Sequence, residues 1–507
     1  MNERRSGLLL HPTSLPSRCG VGDIGPEAER FLDWAASAGQ TVWQVLPLGP
    51  PGFHGSPYDN QSSFAGNPLL ISPDRLREDD LLDEAATREA PVFPADRCDF
   101  EATARLKREV FRRAHRRLRD AARPALREEF EAFRRNEEQR AWLHEWSLFS
   151  ALKERFQMAA WTEWDRPWRI RETKTLDEAR KALSAEIEYH EFVQFLFFRQ
   201  WGRLRQAAAR RGVLIMGDVP IYPALDSAEV WASPQLFSLG SDGLPTCGAG
   251  VPPDYFSPTG QLWGNPTYRW DRHEEEGFSW WIARVRASLR FADFFRIDHF
   301  RGFVDYWEVP AGETTAIGGQ WRPGPGERLF RAIREALGDL PLVAEDLGEI
   351  TEPVRQLRDA LGLPGMSVLQ FAFSSEDSEH LPSRHTANAV VYTGTHDNDT
   401  TRGWFENLPA ERKERALRAS GGGEGTVVWD LMQLAAASPA RLAIFPLQDV
   451  FDLGSEARMN TPGRADGNWS WRARAEMFTP ERAASLRALA EETGRLPARA
   501  ATGVPLR

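Results

Sequence analysis

Three acidic residues stand where a short apolar run gives way to a polar turn: Asp298 in Arg296-Ile297-Asp298-His299, Glu345 in Val343-Ala344-Glu345-Asp346, and Asp397 in Thr395-His396-Asp397-Asn398. Carboxylates delivered from the ends of separate buried strands converge only if those strands lie side by side and parallel, as in a barrel. Residues two apart in a strand point the same way, so Arg296 and Asp298 project together. A guanidinium beside a carboxylate favours the ionised form, which suits a nucleophile. Glu345 is flanked by Ala344 and Leu347 with no cation next to it in sequence. An apolar setting of that kind raises proton affinity, as a general acid requires.

Two carboxyl groups tuned in opposite directions are the equipment for cleaving a glycosidic bond, retaining configuration at a separation of ~5 to 5.5 Å and inverting it at ~6.5 to 9.5 Å. Sequence leaves that choice open. It also leaves open simpler roles, since a single acidic residue at a strand end commonly caps a helix or pairs with a base. A different reading of Asp218, Asp298 and Glu345 is a divalent-metal site; Arg296 opposes it, because a fixed cation beside Asp298 repels a metal ion. We expect no metal and no cofactor.

Eight nearly continuous apolar runs end in polar or glycine-rich turns: 7–10, 41–46, 213–216, 294–297, 342–344, 367–371, 389–392 and 442–445. Continuous rather than alternating apolar character marks strands buried on both faces. Helix-like stretches such as 25–38, 327–337 and 352–361 separate them. The fold class expected is α/β, a (β/α)8 TIM barrel with large, mainly helical insertions after barrel strands. We read 1–507 as a single catalytic domain, 74–210 as a largely helical insertion between the second and third barrel strands, and 240–275 as an aromatic loop region over the cleft. Gly/Pro-rich segments at 49–57, 243–258 and 318–326 are expected as loops on the catalytic face.

The chain has 507 residues, 41% hydrophobic and 27% charged, and a net charge of −10. No run approaches the ~20 apolar residues of a membrane span, and the acidic balance argues against nucleic acid or an anionic membrane as partner. The basic stretch 112–119 is flanked by acidic residues and reads as a solvated helix face. Three cysteines without paired spacing give neither a disulfide framework nor a zinc site. With an N-terminal apolar run far too short for a secretory signal, the expected location is cytoplasmic. The 19 Trp are the unusual figure; an indole serves equally a core or the flat C–H face of a pyranose.

The segments Arg296-Ile297-Asp298-His299-Phe300-Arg301-Gly302, Ala344-Glu345-Asp346-Leu347-Gly348 and Tyr392-Thr393-Gly394-Thr395-His396-Asp397-Asn398 resemble the catalytic motifs of the 4-alpha-glucanotransferases of glycoside hydrolase family 77, in the alpha-amylase clan. Gly250-Val251-Pro252-Pro253-Asp254-Tyr255-Phe256-Ser257 with Trp263-Gly264-Asn265-Pro266, His11-Pro12-Thr13-Ser14-Leu15-Pro16 and Asn468-Trp469-Ser470-Trp471-Arg472 narrow the likeness to that family. The resemblance implies retaining transfer of α-1,4-glucan segments from maltooligosaccharide or starch-like donors to an acceptor sugar, glucose included, through a covalent glycosyl-enzyme intermediate. It implies Asp298 as nucleophile, Glu345 as acid/base and Asp397 as the carboxylate that supports the distorted ring. Arg296, His396, Tyr58 and Asp218 would line the donor glucose, and Tyr255, Phe256 and Trp263 would form aromatic walls. Asp254 and His299 join the substrate-binding set, and Asn468 would contact a more distant sugar. Gly248 and Gly250 are expected as hinges of a lid over the cleft.

Overall fold

The computed structural model describes residues 3–52, 55–83, 91–120, 123–253, 257–464 and 466–497. Its strands are β1 Arg5–Leu9, β2 Val42–Gln44, β3 Leu214–Val219, β4 Cys247–Val251, β5 Gln261–Leu262, β6 Phe294–Ile297, β7 Asp305–Pro310, β8 Gln320–Pro323, β9 Leu342–Ala344, β10 Gly365–Val368, β11 Ala389–Tyr392 and β12 Leu442–Pro446. Eight of them form one sheet in the order β10-β11-β12-β1-β2-β3-β6-β9, every pair parallel. The two ends of that order meet, Ala344 N donating to Pro364 O at 2.9 Å. The ring so closed, with helices outside it, is a (β/α)8 barrel. The eight apolar runs of the sequence supply its eight strands. Their side chains point alternately into the barrel and toward the helices, so neither face reaches water: Ile215, Phe295, Val391, Ala443, Ile444 and Phe445 are all fully buried.

The sixth run is displaced from its expected place. The strand covers Gly365–Val368, and Leu369–Ala372 form a helical turn instead of continuing it. Asp346 fixes the start of β10 by accepting Met366 N at 2.7 Å. Past Val368, the Gln370 amide reaches Asp399 O at 2.9 Å, which turns the chain inward and ends the strand.

The covering helices follow from their apolar spacing. Pro26–Ser37 starts with proline at its first position, where no backbone donor is lost, and buries Ala28, Phe31, Leu32 and Ala35 on one stripe. Between β2 and β3 the chain is mostly helical, with long helices at Phe100–Asp120, Glu137–Arg155 and Ser184–Arg210. Large indoles fill the interior: Trp43, Trp161, Trp201, Trp231 and Trp281 are fully buried, whereas Trp263 and Trp321 are 38% and 39% exposed.

A second sheet of four antiparallel strands, β5-β4-β7-β8, takes β4, β5 and β8 from stretches expected as loops. Part of 243–258 and part of 318–326 are therefore strand. Gly248 and Gly250, expected as hinges, lie inside β4 opposite Val309 and Trp307. A Cβ on Gly250 would stand 2.3 Å from Gln261 O, so glycine there permits the close approach of β5.

Candidate active site

β3, β6, β9 and β11 aim their C-terminal ends at one place. Asp298 N donates to Val219 O and Glu345 N to Ile297 O, each at 3.0 Å, so the last residues of three neighbouring strands are in step. Arg296 is buried at the centre. Its Nη2 donates to Asp298 Oδ1 at 2.5 Å and its Nη1 to Asp218 Oδ2 at 2.6 Å. Tyr58 OH donates to the same Asp218 oxygen at 2.8 Å. The guanidinium thus holds both carboxylates, and occupies the place between them that a metal ion would need. Burial pushes the Asp218 carboxyl up to about 7 against the opposing pull of Arg296.

Glu345 is held by backbone donors alone among its hydrogen bonds: His299 N at 2.7 Å and Leu347 N at 2.8 Å. The first of these belongs to the residue after Asp298, which places the two carboxyl groups against the same stretch of chain. Burial pushes Glu345 up to about 7, with the Asp298 charge adding to it and Arg296 opposing. The sequence reading saw no cation beside Glu345; the fold brings Arg296 near, and loss of hydration outweighs it. His299 adopts a left-handed backbone, φ 53°. This is rare for a side chain with a Cβ and costs of order 1–3 kcal/mol. The turn it makes is what presents its N–H to Glu345.

Asp397 hangs on the loop after β11, accepting Asn460 Nδ2 at 2.6 Å with His396 Nε2 at 3.4 Å. The His396 ring stacks on Tyr58, centroids 5.0 Å apart and planes 18° from parallel, and Trp469 packs against both. Burial lowers the basicity of His396 and takes that of His299 down to about 4. Both rings are therefore neutral near pH 7 and offer hydrogen bonds without charge.

Asp298, Glu345, Asp397, Arg296, His396, Tyr58, Asp218 and His299 are thus tied to one another by contacts of side chains or adjoining backbone. Trp263 stands edge-on to the His299 ring at 4.9 Å, at the rim. Asn468 is farther out, with its amide engaged in its own loop: it accepts Thr461 N at 2.9 Å and donates to Arg464 O at 2.8 Å. Asp254, Tyr255 and Phe256 lie outside the described residues. Sequence reasoning missed Asn460, which had no motif to mark it. It also passed over Trp469 as a site residue, although Asn468-Trp469-Ser470-Trp471 was noted as a marker. Among the described residues no cluster of three His, Cys, Asp or Glu has metal-binding geometry.

A parallel barrel with one carboxyl group on a guanidinium, a second held on backbone donors against the same stretch of chain and neutral polar groups around them defines a glycoside-bond enzyme. Comparison with known proteins narrows this. The family model for 4-alpha-glucanotransferase, glycoside hydrolase family 77, matches residues 10–477, and the chain belongs to that family. It is 50% identical over 502 residues to the 4-alpha-glucanotransferase of Thermus thermophilus, covering 97% of this chain and 99% of that one. It is 46% identical over 477 residues to the chloroplastic/amyloplastic 4-alpha-glucanotransferase of Solanum tuberosum, covering 93% and 82%. The structure of amylomaltase from Streptococcus agalactiae in complex with acarbose superposes with a TM-score of 0.93 at 38% identity, covering 97% of this chain and all of that one.

Proposed function

We propose that Asp298, Glu345 and Asp397 carry out the transfer of α-1,4-glucan segments between maltooligosaccharides or starch-like glucans, with glucose among the acceptors. Protonated Glu345 gives its proton to the departing glycosidic oxygen while the Asp298 carboxylate bonds to the anomeric carbon. Glu345, now ionised, takes a proton from the 4-hydroxyl of an incoming sugar, which displaces Asp298 and restores both groups. Two displacements leave the new bond with the configuration of the old one. A covalent link to Asp298 also explains how the donor fragment stays in place while its leaving group departs and an acceptor enters. Asp397, held by Asn460, binds hydroxyls of the ring that flattens in the transition state. Asp218, Tyr58, Arg296 and His396 line the donor sugar, and Trp263 lines the acceptor. The three cysteines are free, as in a reducing, cytoplasmic compartment, and no described helix is long and apolar enough to cross a membrane.

Transfer has to outrun hydrolysis. Water exceeds a millimolar acceptor by roughly 10,000-fold, so the acceptor needs an advantage of about 6 kcal/mol at ~1.4 kcal/mol per tenfold. Positioning by aromatic walls and exclusion of water supply it. The observation that carries this reading is the pair of opposite carboxyl environments: Asp298 on the Arg296 guanidinium, Glu345 buried on backbone donors. Chromatography of products from maltotriose tests it. The wild-type protein should give both glucose and oligomers longer than the substrate, and Asp298→Asn neither. Only shorter sugars from the wild type would make the chain a hydrolase.

A further inference from the structure

The small sheet carries a feature that the cleft does not use. Its register aligns Leu262 with Gly250, Gly250 with Trp307, and Trp307 with Trp321. Directly opposed residues of antiparallel strands share a face, so these four make one row across β5, β4, β7 and β8. The row crosses three inter-strand steps of about 4.8 Å, roughly 14 Å in all. Leu262 is 40% and Trp321 39% exposed, and Trp307 is half-buried.

The indoles are held and not merely left outside. Trp307 Nε1 donates to Ala316 O at 2.8 Å, and its ring lies so close on the backbone that a Cβ at Gly319 would come within 2.2 Å of the ring nitrogen. Trp321 packs edge-on to Trp307 at 5.2 Å, with the Arg301 guanidinium 4.0 Å from its ring centroid. Arg301 in turn donates to Asp305 Oδ1 at 3.0 Å and to the Glu349 carbonyl, in the loop that follows Glu345. An exposed tryptophan fixed in this way on a half-buried one marks a surface that meets something.

We propose that this row is a platform for α-glucan chain lying beyond the acceptor side of the cleft. The inference rests on the transferase reading above. Two observations choose the occupant. The row adjoins the active site across the edge of β5, since Leu262 is bonded to Trp263, whose ring meets His299, and its far end is tied through Arg301 to the loop of Glu345. A chain leaving the cleft past Trp263 therefore crosses the edge of β5 directly onto it. None of the four residues of the row carries a charge: Leu262, Gly250, Trp307 and Trp321 present apolar surface. This suits the C–H faces of successive neutral pyranose rings.

The test compares a long and a short substrate. In native gels containing amylose the wild-type protein should be retarded, Trp321→Ala much less so, and Trp321→Phe, which keeps a flat ring, in between. Trp321→Ala should raise KM for amylose about fivefold or more with kcat kept, and change transfer between maltotriose molecules less than about twofold. Unchanged retardation and KM for amylose in Trp321→Ala would overturn the proposal. A wild-type dimer in sedimentation that Trp321→Ala dissociates would also overturn it, by assigning the row to a second copy of the chain. Failure of the underlying transferase reading looks different: the wild-type protein would then convert no maltotriose, whatever its migration in the gel.

Discussion

Asp298 and Glu345 are chemically alike and are made unlike by what the fold puts against them. Asp298 keeps about a third of its side chain in reach of solvent, at 30% exposed, and leans on a guanidinium. Glu345 exchanges water for two backbone N–H groups, and the loss of hydration pushes it up to about 7 from an ordinary 4.5. The direction has a kinetic consequence. A general acid works only while it carries its proton, so kcat/KM should be sustained below pH 7 and fall as pH rises through about 7. A carboxyl group of ordinary acidity would instead lose its proton at about pH 4 to 5, and kcat/KM would fall there. Glu345→Gln should lower kcat/KM by roughly 10²- to 10⁴-fold, the usual contribution of proton transfer, and abolish the alkaline limb of the profile. An alkaline limb that persists at the same pH in the variant would assign the titration to another group.

At the scale of the element, the hairpin of β4 and β5 is the part least visible in sequence. Its glycines and prolines read as loop, and a two-residue strand such as β5 leaves no periodicity to find. Its pairing partner, β7, comes from beyond β6. Only tertiary proximity makes Gly250 a strand residue between Leu262 and Trp307. The barrel strands, in contrast, were legible because burial on both faces writes itself as an unbroken apolar run. Where that signal misplaced β10, the Asp346 and Gln370 side chains had moved the strand. The hairpin's role follows from where it stands. Trp263, at its end, meets His299 beside the two carboxyl groups. Trp263→Ala should weaken acceptor binding and admit water, raising glucose released per transfer event about threefold or more. An unchanged ratio of hydrolysis to transfer would remove the hairpin from the partition between the two.

The whole molecule acts as a frame that makes distant segments meet. Asp218, Asp298 and Glu345 are far apart in sequence and arrive in register because their strands are parallel neighbours. That convergence could be inferred from sequence, since each residue ended an apolar run. Asn460 and Trp469 could not. They reach Asp397 and His396 from the long loop after β12, whose path depends on its packing against the rest of the barrel. Asn468 shows the converse: a motif residue whose amide serves its own loop in this structure. In the proposed mechanism Asp298 holds the sugar and Glu345 moves the proton. Mass spectrometry of Glu345→Gln protein mixed with an α-maltosyl fluoride, whose leaving group needs no acid, examines it directly. A glycosyl adduct on the peptide that contains Asp298 is the expected result. An adduct on Asp397, or rapid turnover with no adduct on any carboxylate, would contradict it.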